Sequence, residues 1–220
     1  MKRIAFVIAA VLLITGCSAS QAIEPEQEVR PHHYGSFDEI IFAPASQLRP
    51  LFTTLDELKS ETPNVVRGRL LNDAEIIFQF NDAFRPNHPT AGHNAVSLEI
   101  IEVFQGNLVA GEVVRILEPY VIRDRTLQTF ADYLPSIPYQ EYIFFLGNQL
   151  ADTASEYVPP GYESSFFVRE AYRGRYRVLN NNINALEAQN FDMNELSLGN
   201  YADSNEYMSL WQEVMSAFMN

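Results

Sequence analysis

The chain predicts a mainly β body of the α+β class: a small barrel of five to six strands, with a short helix before it and an amphipathic helix after it. Three observations carry this. Short segments rich in β-branched and aromatic residues recur between residues 65 and 179, separated by turn residues. The longest of them changes the parity of its apolar positions midway, which marks a bulge, the device that bends a strand round a small barrel. Beyond residue 203 the apolar period lengthens to that of a helix. With 47% of its 220 residues hydrophobic and 12% aromatic, the chain carries enough apolar surface for a folded globule.

In chain order, Thr54-Leu-Asp-Glu57 is a capping box, in which the hydroxyl of Thr54 and the carboxylate of Glu57 satisfy the first free N–H groups. It predicts a helix of one to two turns through Leu58 and Lys59, stopped by Pro63. Strands are expected at residues 65–71 (VVRGRLL) and 75–80 (EIIFQF), separated by Asn72-Asp73. Residues 96–104 (VSLEIIEVF) start with apolar Val96, Leu98 and Ile100, then continue from Ile101 and Val103 on the opposite parity, placing the bulge at 100–101. Gln105-Gly-Asn107 makes a turn, and residues 113–117 (VVRIL) form the next strand. Residues 142–146 (YIFFL) are an unbroken apolar run, predicting a strand buried on both faces. Residues 172–179 (YRGRYRVL) close the series before the Asn180-Asn-Asn182 turn. Asp203 and Glu206 then open a helix whose stripe is Tyr207, Leu210, Trp211, Val214, Met215 and Phe218, expected to pack on the barrel. A helix lying on the membrane is the alternative, and Glu206 and Glu213 with no lysine or arginine on the polar face speak against it.

The first residues obey a different logic. Lys2 and Arg3 precede an uncharged apolar run of 11 residues, 4–14, too short for a bilayer span of about 20 residues but right for a signal-peptide core. The segment Leu13-Ile-Thr-Gly-Cys17 resembles the lipobox of bacterial lipoproteins. That resemblance implies a diacylglyceryl thioether on the Cys17 sulfur, removal of residues 1–16, and export to the outer face of the cytoplasmic membrane, or to the outer membrane in a two-membrane organism. Cys17 is the one cysteine of the chain, so its acylation leaves no thiol for a disulfide, a thiolate nucleophile or a zinc–thiolate site. Two acyl chains, at about 0.8 kcal/mol per methylene, give a gross membrane affinity on the order of 20 kcal/mol. Residues 17–33 are polar and proline-containing and read as a flexible tether, and residues 34–220 as a single globular β-rich domain with its C-terminal helix at 203–218.

Without residues 1–16 the chain keeps 13 basic residues against 28 acidic ones, a formal charge of −15. Such a surface repels phosphate backbones, so no nucleic-acid partner is expected. The expected partners are the membrane, through the lipid on Cys17, and an envelope protein, a wall component or a small ligand.

The strand with Arg67-Gly-Arg69, the strand ending Val103-Phe-Gln-Gly106, the strand at 113–117 and the run from Tyr139 to Leu146 resemble, over residues 54–180, the many uncharacterised Gram-positive exported lipoproteins with a small oligonucleotide/oligosaccharide-binding-like (OB-like) or netrin-like barrel. The chain departs from netrin-like modules in having no disulfide cysteines, so protease inhibition of that kind is not implied.

Two groups of residues are candidate sites. His88 and His93, with Asp82 and Asn87 upstream, offer two imidazoles and a carboxylate to a divalent ion such as zinc. Pro86, Pro89 and Gly92 place them in a loop, where two solvated histidines are the plainer reading. Arg173, Arg175 and Arg177, with Arg169, Tyr172 and Tyr176, form a possible anion or ligand face, since residues 173, 175 and 177 share one side of a strand. The plainer reading is an exposed strand face that offsets the acidic side chains. No Gly-x-Ser-x-Gly, P-loop or dinucleotide fingerprint is present, and no catalytic residue or cofactor is expected. The leading expectation is a non-enzymatic, membrane-anchored binding module, and the alternative is a metal-assisted hydrolase using His88 and His93.

Overall fold

The computed structural model describes residues 37–43, 52–80, 89–130, 133–152, 160–169, 171–179 and 204–219. In chain order these form β1 (Glu39–Ala43), α1 (Leu55–Ser60), β2 (Asn64–Leu70), β3 (Glu75–Phe80), β4 (Pro89–Gln105), β5 (Val113–Glu118), β6 (Tyr120–Arg123), β7 (Thr126–Phe130), β8 (Glu141–Gln149), β9 (Phe166–Val168), β10 (Arg175–Arg177) and α2 (Ser204–Phe218). The expected signal segment, the expected lipidation site at Cys17, the expected tether, Asp82, Asn87, His88, the expected Asn180–Asn182 turn and Asp203 lie outside the described residues.

The architecture is the mainly β one expected, with a closed five-stranded barrel at its centre. Strand β2 pairs with β4, β4 with β5, β5 with β9, β9 with β8, and β8 with β2 again. All these pairs are antiparallel except β5–β9, which is the strand order of an OB-like ring. Closure removes the free edges that an open sheet of this size would expose. Alternate residues fill the interior, among them Val66, Leu98, Ile100, Ile116, Phe144 and Phe166, all at or below 4% exposure.

The bulge falls where the parity slips. Arg67 pairs with Glu102 and Gly68 with Ile100, so Ile101 is the extra residue, and a second shift skips Phe104. Gly68 faces Leu98 across this kink: a Cβ there would lie 2.6 Å from Leu98 Cδ1 and 2.8 Å from the carbonyl oxygen of Glu99. The backbone of β2 can approach β4 this closely only because residue 68 has no side chain. Residues 142–147 of β8 are all buried, as the unbroken run predicts, since the inner face fills the barrel and the outer face, with Phe145, is covered by α2.

Helix α1 carries the full capping box. The Thr54 hydroxyl accepts from Glu57 N, and the Glu57 carboxylate accepts from Thr54 N. The backbone N–H of Thr53, also donated to Glu57, holds that carboxyl below its usual range. Leu55 and Leu58 face inward.

Helix α2 lays Tyr207, Leu210, Trp211, Val214 and Met215 against the outer face of the barrel, all at or below 3% exposure. The stripe thus serves the protein's own core, and a membrane-lying helix is overturned. The Tyr207 hydroxyl donates to the carbonyl of Arg175 and the Trp211 indole N–H to that of Arg177, each at 2.9 Å. Four helical residues rise roughly 6 Å, close to the roughly 6.6 Å between alternate strand residues, so side chains at i and i+4 reach carbonyls at i and i+2. Through these two bonds α2 caps the outer edge of β10.

Three expectations are corrected. Residues 89–95 are not a loop: they extend β4 and pair with β3 in a hairpin. Gly92 marks a close approach, for its Cβ would lie 2.4 Å from Val121 Cγ1 of β6, and not a turn. Pro89 is tolerated because it opens the strand. The segment 172–179 is strand only at Arg175–Arg177, preceded by a 3-10 turn at Ala171–Gly174. The sheet β1–β7–β6 and the closing strand β9 were not read from sequence. The β6–β7 turn is Asp124-Arg125, both at positive φ (48° and 64°), a conformation usually signalled by Asn-Gly.

Candidate functional site

At the barrel end where β5 stops and β8 begins, a polar cluster is sealed inside the fold. Glu118 is the last residue of β5, and the inward alternation of that strand carries it into the barrel. Arg175 enters from β10, paired opposite Phe144 on the same inward face. Both side chains are 1% exposed, and Arg175 Nη1 stands 3.4 Å from Glu118 Oε1. The same Nη1 donates to the carbonyl of Leu134 at 2.8 Å and to Ser136 Oγ at 2.6 Å. Tyr133 and Ser136 donate their hydroxyls to Glu118, and the Ser136 N–H adds a third bond at 3.3 Å. The guanidinium carbon lies 4.1 Å from the centre of the Tyr133 ring and 5.4 Å from that of Tyr142, within cation–π range.

Asn94 donates to the Tyr120 hydroxyl at 2.7 Å, and the Tyr120 ring stacks near Tyr133. Burial first, and then the Glu118 charge, push the phenols of Tyr120 and Tyr133 well above their ordinary range, with Arg175 opposing in part. Both therefore stay neutral donors or acceptors. A buried charge pair needs hydrogen bonds to replace the water it loses, and here Tyr133 and Ser136 donate to Glu118 while Leu134 and Ser136 accept from Arg175 Nη1. The cluster ties Tyr133, Leu134 and Ser136 of the loop 133–136 to the buried pair.

The next four residues, Ile137-Pro138-Tyr139-Gln140, form a turn closed by the Gln140 N–H on the Ile137 carbonyl at 3.3 Å. Tyr139 occupies its third position at φ +62°. After proline that position usually belongs to glycine or asparagine, and a bulky side chain there is an outlier. Nonetheless Tyr139 is 50% exposed. The turn is pinned by the Tyr139 N–H on the Leu70 carbonyl at 2.8 Å and by the Ile137 N–H on the Tyr142 hydroxyl at 2.9 Å. An exposed aromatic is thus held in a strained backbone by a buried network behind it.

The arginines expected on an open strand face are not arranged so. Arg173 is 3% exposed and grips Glu206 of α2 with two parallel bonds, at 3.0 and 2.7 Å, and the carbonyl of Phe52 at 2.6 Å. Arg175 is inside, as above. Arg177, half-buried, donates to the Gln140 amide at 3.3 Å. Tyr176 points to the other side, stacked on Tyr207 at 5.2 Å and edge-on to Phe145. Arg169 donates to the carbonyl of Glu61 at 3.1 Å. Neither the ligand face nor the solvated face describes them: these cations tie β10, α2 and the loops together.

His93 sits in β4 opposite Ile77, with its ring 5.1 Å from that of Phe167. Burial lowers its pKa to about 4, so the imidazole is neutral at ordinary pH. Among the described residues no group of three His, Cys, Asp or Glu side chains gathers to hold a metal, and His88 lies outside them. A separate surface cluster joins Arg115 to Asp73 at 2.8 Å and Glu75 at 2.9 Å, with Ser97 and the Tyr162 hydroxyl completing it. Burial opposes ionisation of Asp73, but hydrogen bonds from Ser97 and Arg115 prevail and hold its carboxyl below the usual range.

Glu118, Tyr133, Ser136 and Tyr139 were not singled out from sequence. For Tyr139 the signal was present, as Pro-Tyr between two expected strand segments. No protein-family model matches the chain, and no curated protein matches it.

Proposed function

We propose that the protein is a binding module of the cell envelope, anchored through a lipid on Cys17, that meets its partner at the barrel end carrying Tyr139. The observation that carries this reading is the strained, half-exposed tyrosine braced by the Arg175–Glu118 network. Backbone strain of about 1–3 kcal/mol persists where surrounding structure over-determines it, and such positions cluster at functional sites. A backbone held in advance loses little freedom on binding, and tyrosines are frequent interface anchors. The filled barrel interior directs recognition to its outer surface.

Two experiments test the two parts. In cells fed a labelled fatty acid, Cys17→Ala is expected to lose the label and accumulate as uncleaved precursor. Label persisting at the mature size refutes the anchor. Tyr139→Asn, which fits positive φ more easily, is expected to keep or raise thermal stability, by up to about 1 kcal/mol. It is also expected to abolish the cross-links that the wild-type protein forms in its own envelope. A clear fall in stability, or unchanged cross-links, refutes the contact role.

A further inference from the structure

We infer that Met219 is an oxidation site, converted to its sulfoxide by a peroxide, and that Arg67 then holds the product so that the end of α2 stays fastened to β2. Met219 follows the last residue of α2, is half-buried, and still donates its N–H to the carbonyl of Met215 at 2.9 Å. Arg67 leaves the outer side of β2, and its Nη1 stands 3.9 Å from the Met219 sulfur. The guanidinium is 25% exposed, beside the partly exposed carboxylates of Glu102 at 3.3 Å and Glu141 at 3.4 Å. Water, and a peroxide dissolved in it, reaches this rim. Met215, at 3% exposure, lies in the core. Among the described residues it is the contact of a guanidinium with a sulfur that singles out Met219.

In the reaction the thioether sulfur gives an electron pair to one oxygen of hydrogen peroxide, and the O–O bond breaks. The proton of the transferred oxygen passes to the other, which leaves as water. The sulfur is oxidised by two electrons and the peroxide reduced by two. A thioether is a weak acceptor, whereas the oxygen of a sulfoxide is a polar, strong one. Arg67 Nη1 carries two hydrogens, so a bond to Glu102 and one to this oxygen coexist. The unbranched methionine side chain adapts readily and can turn the oxygen to the cation, at the roughly 2.7–2.9 Å of a charge-assisted bond. Modification at this place therefore replaces a weak contact by a stronger one, where a sulfoxide at Met215 would bury a polar group in the core.

The test uses the full-length protein with Met193, Met208 and Met215 replaced by leucine, a swap that conserves volume and leaves Met219 the only methionine after Met1. Treated with dilute hydrogen peroxide, this protein is expected to gain one oxygen at Met219, located by peptide mass spectrometry. It is expected to melt no lower than before, and up to about 4 °C higher. Methionine sulfoxide reductases supplied with a dithiol are expected to return both the mass and Tm. In the same background Arg67→Leu is expected to reverse the sign, its oxidised form melting about 2–4 °C below its own reduced form. Arg67→Lys, which keeps a cation, is expected to show no such fall. Comparing each variant with its own reduced form removes the cost of the substitution itself. In the wild-type chain, with no methionine replaced, Met219 is expected to be oxidised before Met215. An unmodified Met219, the reverse order in the wild type, a fall in Tm on oxidation with Arg67 present, or the same response with and without Arg67 overturns the inference.

Discussion

Replacing Arg175 by methionine tests the energetic account of the barrel end. The substitution keeps much of the apolar stem but removes the charge that faces Glu118, leaving a carboxylate at 1% exposure with hydroxyl and amide donors alone. Stranding one member of a buried ion pair costs about 3–5 kcal/mol. Loss of the contact with the Tyr133 and Tyr142 rings adds about 0.5–2 kcal/mol. For a body of this size each kcal/mol moves Tm by about 2–4 °C, so Arg175→Met is expected to melt on the order of 10 °C below the wild type. The single tryptophan, Trp211, is buried against the edge of β10, and its emission reports the transition. The double variant Arg175→Met, Glu118→Leu removes both charges together. It is expected to recover a large part of the loss, because the penalty lies in the unpaired ion and not in the pair itself. A shift below about 2 °C in the single variant, or a double variant no better than the sum of the singles, refutes the reasoning.

Three further outcomes follow from other parts of the fold. His93 binds its proton in the folded state only near pH 4 but in the unfolded chain near 6.5, so stability is complete above pH 6.5 and falls as pH drops through that window. The loss reaches up to about 2 kcal/mol at pH 5, and chemical denaturation of His93→Gln at pH 7 and 5 should show a smaller difference than the wild type. Gly68→Ala puts a methyl group within 2.8 Å of the Glu99 carbonyl, an overpacking expected to cost about 1–3 kcal/mol; a neutral result in a melting experiment contradicts the tight β2–β4 approach. Trp211→Phe removes the indole donor from the Arg177 carbonyl, expected to cost about 1–3 kcal/mol in urea titration, and an unchanged midpoint argues against edge capping by α2.

Periodicity and punctuation sufficed for the elements whose order is local. The capping box at Thr54 and Glu57, the parity slip at 100–101, the buried run at 142–146 and the stripe of α2 all describe geometry within one segment, where side-chain direction follows from φ and ψ alone. The β6–β7 hairpin escaped notice because Asp124-Arg125 adopts positive φ without glycine, and β9 because three residues carry too short a pattern. Gly92 misled because glycine serves both turns and close approaches, and only the position of Val121 decides between them.

The candidate site was legible only in fragments. By itself the sequence determined a mainly β barrel flanked by helices, since apolar alternation dictates which faces must leave water. It also carries the lipobox-like segment ending at Cys17, on which the proposed anchor rests. Hydropathy places an arginine at the surface, whereas closure of the ring turns Arg175 inward onto Glu118, 57 residues earlier in the chain. What lies beside a charge depends on contacts distant in sequence, and burial, partner and strain at Arg175, Glu118 and Tyr139 are properties of those contacts alone.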